Sequence, residues 1–578
     1  MNEPNATDSV TQPAAAARQV RTWPLWVSFL IQSVLFGLSV TPSINNAVRF
    51  GFMLIGPAVG LLLFLIWALF ACRLRAKERL AIVGLVAFVV TVISLTIHES
   101  VGLAVFLYGV PLTTIAVLAA VVLAQNAESP QRLSTVAGLL VIAWAVFPMV
   151  RVDGYDGQYF PQLSFRWTPT SEQTLLKNLN NATTDISTEW DPTDAQWPGF
   201  RGPRRNGRVV SDAGTLNWSA APPQEIWRKP IGPGWGSFIH VSGRLFTQEQ
   251  RGNDEVVTCY DAATGRLIWM HKDAVRFNDV VSGTGPRATP EYANGRIYTY
   301  GSKAILNCLD AETGNEIWQH DLMKEVDAQL PVWGFSNSPL VIGDTVSVYA
   351  DGDGDNGLVA FHVNSVEPVW QVASGGMNFS SAQRVTIDGI EQVIFGDGNG
   401  LRALNPTSGQ QIWSFRPEDW NGPNVCQPQM VDDNDFVVPL GDGIGVTRLS
   451  AQFKDDAWQV SEVWSSNRLK PSFNDFVLHN GYLYGFDQSI LVCLDAETGE
   501  LRWKGGRYGF GQMLLLESQG QLIVVTETGD LILINATPEK LDEVARIPGV
   551  SGKTWNHPIV VQDKLFLRNG AEAVCFGL

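Results

Sequence analysis

Cysteine is scarce in this sequence and never adjacent in the chain; the six are Cys72, Cys259, Cys308, Cys426, Cys493 and Cys575. There is no Cys-x-x-Cys-His run for covalent haem, and no Cys/His cluster has zinc spacing. Cys259, Cys308, Cys493 and Cys575 each occupy the strand before a repeated turn, where a thiol serves as a small buried filler. Equivalent positions of different repeats lie too far apart to bridge, which excludes a disulfide scaffold. Basic residues are also in deficit, 41 Lys and Arg against 57 Asp and Glu, for a net charge of −16. That balance argues against nucleic acid and anionic lipid surfaces as partners. The glycine runs Gly396-Asp-Gly-Asn-Gly400 and Gly441-Asp-Gly-Ile-Gly445 have no helix pattern after them, so they are β-turns and not phosphate loops.

The charge that is present divides unevenly. Residues 1–150 carry 8 Lys/Arg and 5 Asp/Glu, and the remainder carries 33 and 52. Apolar stretches at 24–41, 50–72, 80–97, 101–124 and 133–150 each approach bilayer-crossing length, so about five transmembrane helices are expected over 23–150. No small-residue cleavage site follows the first stretch, which reads as a retained anchor. Arg18 and Arg21, then Arg73, Arg75, Lys77 and Arg79, then Arg132 mark the segments expected in the cytoplasm. This places a tail, 1–22, inside and everything after Val150 on the far side of a bacterial inner membrane, in the periplasm. Residues 151–222 form a polar linker containing Trp197-Pro-Gly-Phe-Arg201-Gly-Pro-Arg-Arg-Asn-Gly207, expected to pack as a lid on the following domain.

That domain, 223–578, is built on a repeated phrase. It reads Asp261-Ala-Ala-Thr-Gly265-Arg-Leu-Ile-Trp269, then Asp310-Ala-Glu-Thr-Gly314-Asn-Glu-Ile-Trp318, Asn405-Pro-Thr-Ser-Gly409-Gln-Gln-Ile-Trp413 and Asp495-Ala-Glu-Thr-Gly499-Glu-Leu-Arg-Trp503. Weaker copies end at Trp227, Trp370 and Trp464, and successive tryptophans stand 42, 49, 52, 43, 51 and 39 residues apart. A period of roughly 40–50 residues made of short strands marks a β-propeller with one four-stranded blade per repeat. Asp or Asn caps the turn, Gly supplies positive φ, and the Trp fills the gap between blades with its N–H on a carbonyl. Eight blades are expected, the last closed by Glu225-Ile-Trp227 from the start of the domain, which leaves no open sheet edge in the ring.

Innermost strands are expected to start at Phe238, Pro290, Pro339, Ala382, Pro428, Phe476, Leu515 and Pro558. The residues just before them, among them Asn337, Ser338, Asn474, Asp475, Asn556 and His557, should ring a mouth of the axial channel, with Arg287 and Trp333 close by. Such a ring either holds a small polar ligand or caps the strand ends and binds water. Asp351-Gly-Asp353-Gly-Asp355 alternates carboxylates as a calcium loop does, but position twelve is His362 and not Glu, so an acidic hairpin loop is the simpler reading.

The phrases at Asp261/Gly265/Trp269, Asp310/Gly314/Trp318, Asn405/Gly409/Trp413 and Asp495/Gly499/Trp503 resemble the tryptophan-docking motif of the pyrroloquinoline-quinone (PQQ) repeat family. The resemblance covers about 197–578 and implies an all-β, eight-bladed propeller behind an α-helical membrane domain. It leaves two functions open, because the family holds both quinoprotein dehydrogenases and BamB-like, non-enzymatic scaffolds of outer-membrane protein assembly. The layout is also similar to membrane-bound quinoprotein glucose dehydrogenase, whose spans pass electrons to membrane quinone. For an enzyme, the resemblance implies PQQ with Ca²⁺ and a carboxylate base acting on an alcohol or sugar. No residue here matches the family's calcium set or catalytic Asp, the blades are compact, and adjacent cysteines are lacking. A binding or scaffold module for envelope proteins or a small polar ligand is therefore the leading expectation, and a PQQ-dependent dehydrogenase the alternative.

Overall fold

The computed structural model describes residues 20–41, 44, 46–179, 190–210, 214–352, 354–376, 378–422 and 424–578. The expected tail up to Gln19, including Arg18, and Asp353 of the acidic loop lie outside them. The chain forms two compact units that divide between Thr168 and Pro169.

In the first unit the helices are α1 (Trp23–Ser39), α2 (Asn46–Ile66, prolonged by a π turn Trp67–Ala71), α3 (Ala76–Ser94), α4 (Val110–Leu123, entered through turns from Glu99) and α5 (Ser129–Trp144). Each of the five expected spans falls on one of these. Three stretches, 48–71, 99–123 and 129–149, are long and apolar enough to cross a membrane. α1 is apolar but shorter, and α3 opens on Lys77, Glu78 and Arg79. Helices suit that environment because every interior backbone group is bonded within its own segment. Close packing has visible causes: a Cβ on Gly60 would stand 2.3 Å from the Gln32 side chain, and one on Gly109 would stand 2.9 Å from Trp144. The starts of α3 and α5 are joined by a buried ion pair, Glu78 to Arg132 at 2.5 Å. After α5 comes a hairpin of β1 (Val150–Tyr155) and β2 (Pro161–Phe165).

The second unit is the eight-bladed propeller. Seven blades follow in order, from Ile239–Val241, Arg244–Arg251, Asp254–Asp261 and Leu267–Asp273 through to the seventh, which ends at Pro548. The eighth takes its three inner strands from 559–577 and its fourth from Gln224–Pro230, paired Trp227 to Cys575, so the ring closes on the strand anticipated from the sequence. One register differs: the seventh inner strand starts at Gln512, not Leu515. Gln512 pairs with Val525, and that pairing carries the ladder three residues further back than the hairpin turn alone indicated.

The repeated phrase explains why neighbouring blades stay together. Asp261 Oδ1 accepts from the Thr264 N–H at 2.8 Å and from its hydroxyl at 2.6 Å, holding the turn that puts Gly265 at φ +67°. The ring of Trp227, one blade earlier, lies where a Cβ on Gly265 would be, 2.8 Å away, and its N–H donates to Ala262 O at 3.0 Å. Trp269 does the same over Gly314 with Ala311 O, Trp370 over Gly409 with Pro406 O, and Trp464 over Gly499 with Ala496 O. Trp413 is the exception: its indole donates to Gln392 in its own blade at 2.8 Å, whereas Trp318 and Trp503, whose next blades also lack the phrase, still reach Val363 O and Thr537 O.

Candidate functional site

The residues before the inner strands do meet around the axis, and they bond to one another. The Ser237 N–H donates to Thr289 Oγ1 at 2.9 Å, that of Thr289 to Ser338 Oγ at 3.0 Å, and that of Ser338 to Ser381 Oγ at 2.8 Å. Further round, the Gln427 N–H donates to Asp475 Oδ1 at 2.9 Å, and Ser237 Oγ donates to His557 O at 2.8 Å. A second belt runs one residue back, with Asn337 Nδ2 donating to Ser380 O at 2.6 Å and Asn556 Nδ2 to Gly236 O at 2.7 Å. Asn474 turns instead to its own blade, donating to Gln488 O at 3.3 Å. Asp475 of the sixth blade reaches past the seventh to His557 of the eighth, Oδ2 to Nε2 at 3.1 Å, which places this pair near the axis.

The segment Trp197–Val209 fills one side of this ring. Trp197 exchanges backbone bonds with His240 of the first inner strand, Pro198 O accepts from Tyr292 of the second, and Arg208 and Val209 pair in parallel with Leu515 and Leu516 of the seventh. Two arginines project inward from it. Arg201, fully buried, sets Nη1 3.3 Å from Asp475 Oδ1 and donates from Nη2 to Phe476 O at 2.9 Å. Arg205 pairs with Glu291 at 2.9 Å and donates to Pro339 O at 2.9 Å. Both hold left-handed backbone, φ +58° and +50°, a conformation that costs a non-glycine residue roughly 1 kcal/mol or more. Phe200 stands edge-on to His557 with centroids 5.1 Å apart. A Cβ on Gly199 would fall against the Glu291 carboxylate and push it out of its place beside Arg205.

Electrostatics separates the two ion pairs. Burial works to raise Asp475, yet Arg201, His557 and the Gln427 N–H together hold it below the usual carboxylate range. Glu291 has only Arg205 against its burial and is pushed up to about 7. Burial lowers His557 despite the opposing pull of the Asp475 carboxylate, and Arg201 adds to the lowering.

Of the other sequence candidates, Arg287 lies over Phe277 at 4.5 Å and pairs with Asp279 at 2.5 Å, bracing its own loop. Trp333 packs on Phe379 at 4.9 Å and keeps 38 % of its surface exposed. Asp351 accepts from Ser374 Oγ at 2.8 Å and Tyr349 OH at 3.1 Å. Among the described residues no group of three or more His, Cys, Asp or Glu is placed to hold a metal ion. Two carboxylates at the ring, Asp475 and Glu291, are each paired with an arginine. The residues present therefore do not fit the Ca²⁺ cage that a PQQ site requires.

Sequence reasoning missed an aromatic cluster beside the ring. Trp235 and Trp555 stand 5.1 Å apart, Phe473 lies 4.7 Å from Trp555 and 5.3 Å from Phe510, and Lys553 Nζ sits 4.8 and 4.3 Å from the two indole rings. Phe473 and Trp555 again join blades six and eight across the seventh. A signal was available: Trp235, Phe379, Phe473 and Trp555 each precede the first residue of an inner strand by four.

A family model described as outer membrane protein assembly factor BamB matches residues 210–320 and 253–417. The match spans the first four of the eight blades. Solved structures similar to the BamB-like propeller include BamB from Moraxella catarrhalis, 14 % identical, covering 62 % of this chain and 100 % of that one with a TM-score of 0.46. Quinohemoprotein alcohol dehydrogenase from Comamonas testosteroni is 12 % identical over 70 % and 84 % of the two chains, with a TM-score of 0.48. A europium-containing methanol dehydrogenase is 12 % identical over 67 % and 98 %, with a TM-score of 0.41. Among curated proteins none matches.

Proposed function

We propose that this chain is a membrane-anchored binding or scaffold module. Its helices hold it in a bacterial inner membrane with the N-terminus in the cytoplasm, and the BamB-like propeller works in the periplasm on envelope proteins or a small polar ligand. Residues 151–222 serve as linker and as a lid on the propeller. The basic turn Arg73–Arg79 and Arg132, brought to one end of the bundle by the Glu78–Arg132 pair, supports this orientation.

The observation that carries the reading is the state of the polar ring. Its serines, threonine, Asn337 and Asn556 bond to neighbouring blades, Asp475 meets His557, and Asp475 and Glu291 pair with Arg201 and Arg205 of the chain's own segment. A quinone and its calcium would have to displace those bonds. Surfaces left open to contact include the surround of Trp333 and the half-buried Trp235–Trp555 cluster under Lys553. Titrating the purified full-length protein with PQQ and Ca²⁺, and assaying dye reduction with sugars and alcohols, tests this reading. No saturable quinone spectrum and no turnover are expected. Saturable binding with turnover would replace it by a quinoprotein dehydrogenase feeding membrane quinone.

A further inference from the structure

The β1–β2 hairpin is two-faced. Its register pairs Val150 with Phe165 and Val152 with Leu163, so these four share one face, while Arg151 and Ser164 pair on the other. The second face is polar and internally bonded, with Arg151 Nε donating to Asp153 Oδ1 at 2.6 Å and the Ser164 hydroxyl to Asp153 Oδ2. On this face Val150 and Val152 are buried, but toward β2 and just past it large apolar side chains stay uncovered by the described residues: Leu163 is 55 % exposed, Phe165 53 % and Trp167 67 %. The rings of Phe165 and Trp167 stack with centroids 4.8 Å apart and planes 9° from parallel. A lone two-stranded hairpin is marginal in water, and an aromatic face of this kind adds exposed apolar area that water disfavours.

We propose that this hairpin is an interfacial anchor whose aromatic face lies in the headgroup layer of the bilayer. The inference rests on the reading that the helices cross a membrane. Three observations select lipid as the occupant. β1 begins at Val150, the residue after the apolar helical stretch 129–149 ends. The hairpin is tied to helix ends, with Arg166 Nη1 donating to Thr96 O at 2.7 Å and Pro148 O at 3.3 Å, and the Val152 N–H donating to Ser100 Oγ at 3.0 Å. Those same ends are apolar and exposed, Leu95 by 82 % and Met149 by 48 %, so the aromatic face continues a surface suited to acyl chains. Tryptophan and phenylalanine at that depth keep their rings in the apolar layer beside headgroups, while Asp153 and Ser164 on the polar face meet water and Arg151 is buried against Phe165 O and the Asp153 carboxylate.

All six native cysteines are buried, so one introduced thiol can be labelled selectively. The experiment takes full-length Leu163→Cys, and separately Trp167→Cys, labelled with an environment-sensitive fluorophore and reconstituted in phosphatidylcholine vesicles. Loss of emission with a nitroxide near the lipid headgroup, and little loss with aqueous iodide, is expected at both sites. Quenching by iodide alone would show the face in water, and protection from both quenchers would show it covered by protein; either result overturns the proposal. A label at Ile142→Cys, on the exposed flank of α5, separates the premises. Quenching there by a deep acyl nitroxide upholds the spanning helices whatever the hairpin does, and its failure would sink the spanning reading itself.

Discussion

Replacing Arg201 by methionine tests whether the segment crossing the ring is held by charge. The guanidinium is fully buried, 3.3 Å from Asp475, and gives hydrogen bonds to Phe476 O and Asn206 O at 2.9 and 3.2 Å. At that separation the attraction is about 5 kcal/mol with an effective dielectric of roughly 20. Part of it is offset by the cost of burying both ions. Removing one partner of such a pair costs about 3–5 kcal/mol, because the other charge stays buried and unpaired. Here His557 softens the loss: without the like charge of Arg201 it takes up a proton more readily and becomes the partner of Asp475. That replacement pair exists only while His557 is protonated and is lost as pH rises, so the deficit should be larger at pH 8 than at pH 6. Urea unfolding of the detergent-solubilised full chain, followed by tryptophan fluorescence, reads the change. Adding Asp475→Asn should recover about 1–3 kcal/mol relative to the sum of the single substitutions. A loss under about 1 kcal/mol for Arg201→Met, or a cycle additive within about 0.5 kcal/mol, would refute the reasoning.

His240, beneath Trp197, is lowered by burial from 6.5 to about 4. The unfolded chain then takes up a proton that the folded one refuses, and stability should fall by about 3 kcal/mol as pH drops from 7 to 4, a sensitivity that His240→Asn should lose. Gly314→Ala meets both a φ of +73° and the Trp269 ring at 2.4 Å, and should destabilise by roughly 2–4 kcal/mol. Gly343→Ala, at φ +56° with open space around it, should cost only roughly 1 kcal/mol; equal losses would refute the docking role of the tryptophan. Maleimide at pH 8 should modify none of the six buried thiols in the folded protein and all of them in denaturant; rapid native labelling of Cys426 would show the ring open to solvent.

The period of the Asp-x-x-Thr-Gly-x-x-x-Trp phrase was sufficient for the propeller, its eight blades and its closing strand. Turn chemistry and strand length act over a few residues, so a local window contains them. The helices of the first unit were legible for the same reason. The aromatic register four residues before the inner strands is equally local and legible in the same way. The ring's chemistry lay beyond any window. Arg201, Arg204 and Arg205 look alike along the chain, yet Arg204 points to Glu517 with 53 % of its side chain exposed, while the other two are buried on Asp475 and Glu291. Asp475 and His557 are 82 residues apart and meet only because eight blades close into a circle. The sequence by itself determined the repeat, the ring and the apolar helices, since each follows from backbone preference and periodicity. Tertiary structure alone decided that the ring is filled from within, because burial and charge pairing are properties of where distant segments come together.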